Sequence, residues 1–164
     1  MKPTALIFVT CILGVSACSE RSEISLQIEA QFKANDTSPI NLALTGPASW
    51  ERLCVLGPYS NNSYAEKVLG FKWDAEAKTS IYGSDVVNVL VYIKENQVVA
   101  YTEHPRNKGD FSQMNPPCLS RERAVVVRQM GSDGWVFLVP QQPGITNQST
   151  GPAREAAQSG DFKR

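Results

Sequence analysis

The apolar positions fall into short runs whose period changes along the chain, and most runs end at a recognisable breaker. Apolar Ile24, Leu26, Ile28, Ala30 and Phe32 alternate with Ser25, Gln27, Glu29 and Gln31. A period of two favours a half-buried strand, although Ile24, Ile28 and Gln31 are also spaced for a helix. Lys33 to Pro39 then reads as a loop. After Trp50, the run through Leu53, Cys54, Val55 and Leu56 stops at Gly57-Pro58-Tyr59, the pattern of a buried strand entering a turn. Ser63-Tyr64-Ala65-Glu66 has capping-box spacing, and Gly70 stands where a left-handed cap is wanted. A short helix over Tyr64 to Leu69 is predicted.

Val86 to Ile93 is apolar on both alternating faces, which suits a central strand. Lys94-Glu95-Asn96-Gln97 turns it back into Val98 to Tyr101, a hairpin. Ala124 to Val127 and Trp135 to Val139 flank Gly131-Ser132-Asp133-Gly134, a second hairpin. From Pro140 onward Pro, Gly, Gln, Ser and Thr dominate, too little apolar surface to offset the entropy of ordering. These elements predict an α+β fold, mainly antiparallel sheet built from hairpins with one short helix. A single domain over residues 24–139 and a disordered tail over 140–164 are expected.

The amino end has a different pattern. One positive charge in Met1 to Thr4 precedes an apolar run from Ala5 to Val15 and the small residues Ser16 and Ala17, the order of a secretory signal over residues 1–17. The run is shorter than the ~20 residues that span a bilayer. Val15-Ser16-Ala17-Cys18 resembles the lipobox of bacterial lipoproteins. The resemblance implies a diacylglyceryl group on the Cys18 thiol, cleavage just before it, and usually an acyl chain such as palmitate on the new amino terminus. Cys18 and residues up to 23 would then form the lipidated end and its tether. Two or three acyl chains anchor essentially permanently, whereas one binds reversibly. Ser19, where Asp would signal retention, resembles the outer-membrane-directed pattern and implies a domain facing the periplasm. Ordinary secretion is the alternative, because Val15 and Ala17 also satisfy a simple signal-peptidase site. Trp50 to Tyr59, followed by Leu69-Gly70, is similar to a pattern in small exported bacterial proteins and implies no function.

Composition narrows the chemistry. The 164 residues carry 16 Lys+Arg against 16 Asp+Glu, so nothing points to nucleic acid. Loss of residues 1–17 removes only Lys2 and leaves the mature chain one negative charge from neutral. One histidine, and no clustering of Cys, Asp or Glu at ligand spacing, gives no basis for a metal or cofactor. Cleavage also discards Cys11. If Cys18 carries lipid, Cys54 and Cys118 remain as one even pair, expected to be a structural disulfide in an oxidising compartment. The pair lacks the C-x-x-C spacing of a redox site.

His104 lies among Glu103, Asp110 and basic residues. It reads either as a general base oriented by Glu103 or Asp110, the core of a hydrolase, or as a solvated loop histidine. The second reading is favoured, since no activated nucleophile sits at a recognisable spacing. Arg106, Lys108, Arg121 and Arg123, with Arg128 beyond them, form a candidate basic patch for lipid headgroups or an acidic partner, although Glu103, Asp110 and Glu122 interrupt it as on an ordinary surface. Trp50, Tyr59, Tyr64, Phe71 and Trp73 are expected mostly in the core; several exposed together would mark a protein-binding face. The leading expectation is a non-enzymatic, membrane-anchored lipoprotein whose small domain binds another envelope component, a protein. An inhibitor or immunity-type protein directed at a toxin or lytic enzyme is the alternative.

Overall fold

The computed structural model describes residues 22–34 and 37–142. The signal segment, Cys18 and the tail beyond residue 142 lie outside the described residues. In chain order the elements are α1 (Glu23–Ala34), β1 (Ile40–Asn41), β2 (Arg52–Leu56), α2 (Asn62–Leu69), α3 (Ala75–Lys78), β3 (Val87–Lys94), β4 (Gln97–Pro105), β5 (Cys118–Ser120), β6 (Val125–Met130) and β7 (Val136–Pro140). The fold is α+β. One antiparallel sheet has the order β4-β3-β2-β5 and the other β1-β6-β7.

Both predicted hairpins form. Glu95 and Asn96 take up positive φ values of 49° and 59° between the paired Lys94 and Gln97, a two-residue turn matched to strand twist. The β6–β7 turn closes through the Gly131 N–H, which donates to the Trp135 carbonyl, with Gly134 at φ 80°. Pro140, expected to open the tail, instead pairs with Val126 as the last residue of β7.

The segment favoured as a strand over 24–32 is α1, so the structure has more than the one helix expected. The helix buries Ser25, Ile28 and Glu29 and leaves Leu26, which a strand pattern would bury, 47% exposed. Two polar positions become interior because each finds a partner there, one of Glu29's within the helix itself. Ser25 Oγ meets His104 Nδ1 at 2.9 Å, and Glu29 pairs with Lys33 at 2.6 Å and faces Lys108 at 3.8 Å. Arg128 of β6 donates to the carbonyls of Gln31 and Phe32, capping acceptors that the last turn cannot satisfy itself. The Gln31 amide clasps the backbone of Asn41 in both directions. The helix is thereby fixed to both sheets.

In α2 the expected cap moves by two residues. The Asn61 side chain, not Ser63, accepts from the Tyr64 N–H, and Gly70 ends the helix at φ 81° as expected. The one-turn α3 was not predicted; its Asp74 cap accepts from the Ala77 N–H and from the Asn62 amide, tying it to α2.

The four-stranded sheet is covered on both faces. Leu53, Val55, Leu90 and Tyr92 join Ile28, Ile40, Val126 and Leu138 in the core shared with α1 and the small sheet. Cys54, Leu56, Val89, Val91 and Ile93 pack against Ala65 and Leu69 of α2 and Ala75 of α3. Cys54 and Cys118 form the expected disulfide, with Cys118 opening β5 directly opposite Cys54 in the ladder. Gly109 sits between β4 and Asp110 at φ 121°, where a Cβ would come 2.6 Å from Leu138 Cδ1. Gly109→Ala is therefore expected to cost ~2 kcal/mol or more, from backbone strain and overpacking together, read as a lower urea midpoint at unchanged slope.

Candidate functional site

The residues with the most chemical potential are turned inward. His104 is an interior residue of β4, paired with Asn88 and fully buried, not a solvated loop residue. Neither acid proposed to orient it does so. Glu103 points to the other face of the strand and accepts from the Ser80 N–H at 2.7 Å and hydroxyl at 2.8 Å. The histidine is held instead by the Ser25 hydroxyl and, through Nε2, by the Lys108 carbonyl at 3.2 Å. Burial pushes its pKa down to about 4, against the opposing pull of the Lys108 carbonyl and the Glu29 charge. A neutral imidazole that donates from Nε2 and accepts at Nδ1 fits these partners. The Ser25–His104 pair has hydrolase-like chemistry, but both side chains are sealed from solvent, so no substrate reaches the hydroxyl as the domain stands.

Asp110 is also fully buried, and every contact it makes is structural. Its Oδ1 accepts from the Asn88 amide at 3.1 Å and the Ser112 N–H at 2.8 Å. Its Oδ2 accepts from Arg106 Nε at 2.9 Å, Arg106 Nη2 at 2.7 Å and the Trp135 indole at 2.8 Å. Burial alone would raise the carboxyl pKa, but the Arg106, Ser112 and Asn88 hydrogen bonds outweigh it and hold the group below its usual range.

The basic residues are dispersed among separate anchors. Arg106 is engaged by Asp110 and the Asp85 carbonyl, and Lys108 lies beside Glu29. Arg121 donates to the Ala48 carbonyl and lies 5.2 Å over the Trp50 ring, while Arg123 is exposed. Among the described residues no cluster of His, Cys, Asp or Glu is suited to a metal ion. No described helix is long and apolar enough to cross a membrane.

The aromatic group divides. Trp50 is core, stacked edge-on to Tyr92 with centroids 5.3 Å apart, and Phe71 and Trp73 pack beside α2. Tyr59 and Tyr64 are 62% and 46% exposed and line one open cleft of about 400 Å³, with Asn61, Phe111, Met114 and Pro117. Tyr59 is the third residue of the turn Gly57–Ser60, closed by the Ser60 N–H donating to the Gly57 carbonyl. Pro58 fixes the second position near φ −65°, so the φ of 59° at Tyr59 makes this a type II turn with tyrosine where glycine is usual. The Tyr59 N–H donates to the Ile81 carbonyl, bringing the turn of Tyr82, itself 58% exposed, alongside. Phe111 connects the cleft to the interior by stacking edge-on to His104.

No protein-family model, curated protein or solved structure matches this chain.

Two consequences of the interior groups are measurable. Neutral His104 is favoured by the fold while the unfolded chain binds its proton from pH 6.5 downward. Stability should accordingly be full above pH 6.5 and fall by on the order of 3 kcal/mol as the pH drops towards 4. Chemical denaturation across that window checks it, and His104→Gln should flatten the slope. Asp110, with its depressed pKa, adds a second loss only below the unfolded carboxylate value of about 4. Asp110→Asn should destabilise by about 3 kcal/mol at neutral pH, because Arg106 loses its carboxylate partner, and a calorimetric melting shift reads it.

Proposed function

We propose that this protein is a lipid-anchored lipoprotein of the bacterial cell envelope whose domain docks a partner protein through the cleft lined by Tyr59 and Tyr64. The anchor rests on the lipobox-like Val15-Ser16-Ala17-Cys18, and the outer membrane, facing the periplasm, is the leaflet that Ser19 favours. The observation that carries the docking surface is Tyr59. A non-glycine residue in the left-handed region costs about 1 kcal/mol, a cost that a surface turn with no task would shed by using glycine. Here the strained position holds an exposed ring beside a second tyrosine. Tyrosine supplies large contact area at little cost in side-chain entropy and concentrates in binding hot spots. The chemistry-bearing groups His104, Ser25 and Asp110 are buried and bonded within the fold, whereas the two tyrosine rings are presented to solvent.

A photo-crosslinking residue introduced at Tyr64 in intact cells should capture one major protein, identifiable by mass spectrometry. Capture should fall at least tenfold in Cys18→Ser, and likewise in Tyr59→Gly. The second variant should melt at the same temperature as the parent or up to a few degrees higher, since glycine relieves the turn. Unchanged capture in Tyr59→Gly would remove the cleft as the docking surface.

A further inference from the structure

Resting on the lipid-anchor reading, we propose that the domain sits directly on the membrane surface with the amino end of α1 towards the bilayer, so that the partner met by the tyrosine cleft is a membrane-resident protein presenting a segment close to the same leaflet. The constraint is one of chain length. Only Ser19, Glu20 and Arg21 separate Cys18 from Ser22, whose hydroxyl and carbonyl accept from the Ile24 and Leu26 N–H groups at the start of α1. Four residue steps at full extension reach ~14 Å. The lipidated cysteine starts at the boundary between hydrocarbon and headgroups, and the headgroup layer itself takes roughly 5–7 Å of that reach. The first turn of α1 is thus left within about 10 Å of the headgroup surface.

The helix does not act as a spare tether. Ser25, in its first turn, is buried against His104, Ile28 is fully buried one turn on, and Arg128 holds the carbonyls of the far end. Unwinding even one turn to gain reach would break the Ser25–His104 bond and open the core above Phe111. The first turns of α1 carry Leu26, 47% exposed, while Ser25 is joined through His104 to the Lys108 carbonyl of the Arg106–Lys108 turn. From Ser25 the path to the cleft is two side chains long. His104 lies 2.9 Å away, and Phe111, whose ring centroid is 5.5 Å from that of His104, lines the cleft. The cleft therefore lies within a short distance of the same leaflet, at the height where a protein lying in or on that membrane presents its surface.

The full-length lipidated protein, reconstituted in a supported bilayer of phosphatidylethanolamine and phosphatidylglycerol, tests the seating by neutron reflectometry. Protein density should begin at the headgroups, with no hydrated gap wider than about 10 Å. A flexible Gly-Ser insertion of about 20 residues after Ser19 should open a gap of roughly 25 Å. In parallel, the protein identified by crosslinking from Tyr64 should, in membranes that have not been crosslinked, stay in the pellet through alkaline carbonate extraction. Intact mass separates the failures. An unacylated Cys18 overturns the anchor and the seating together, whereas an acylated Cys18 with a wide gap in the parent protein, or a partner that carbonate releases from membranes that have not been crosslinked, overturns the present proposal and leaves the anchor standing.

Discussion

The Asp110 carboxylate is the point at which the two sheets of this domain are joined. It lies just beyond β4, yet it receives Asn88 from the middle of the large sheet and Trp135 from the hairpin of the small one, while its own backbone bridges to Val136 and Leu138. An ionised carboxylate in such a place is tolerable only if nearly every lone pair is used, and five donor contacts use them. Arg106 supplies the countercharge from four residues earlier. The packing of Leu138 against Gly109, the position of Phe111 under the cleft and the path of the chain towards β5 all follow from where this group is held.

Helix α1 links the same two sheets through a separate set of contacts. Its buried polar residues address different sheets: Ser25 reaches His104 on β4, and the last carbonyls accept from Arg128 on β6. Each contact alone is an ordinary hydrogen bond, of modest net value. Together they turn an amphipathic segment of only moderate apolar contrast into a brace across both layers. The same brace holds α1 from its first turn, so the described chain is fixed to both sheets from Ser25 onward.

Local signals were legible in the sequence and long-range ones were not. Both hairpins could be read because their turns are encoded by adjacent residues, Glu95-Asn96 and Gly131 to Gly134, and α2 because Gly70 closes it. Its cap shifted to Asn61 because Asn61 and Ser63 are both cap formers two positions apart. The period of Ile24 to Phe32 fitted strand and helix alike, and the deciding partner of Ser25 lies 79 residues away. The disulfide followed from compartment and parity, whereas its place opposite Cys54 in a three-residue strand did not. In the site, Tyr59 and Tyr64 stood among five aromatics that sequence could not sort into core and surface. Phe111, Met114 and Pro117 reach the cleft from a connection with no apolar period to announce it.

The disulfide bears on the order in which the large sheet closes. Strand β5 is three residues long, at the edge of the large sheet, and its covalent link to β2 spans 64 positions. A short edge strand at that separation pairs weakly on its own, because closing so long a loop must be repaid by very few ladder bonds. Until its two thiols are joined, the sheet keeps one loose margin. Oxidation then works as a latch: the domain acquires its final edge only when Cys54 and Cys118 are covalently joined.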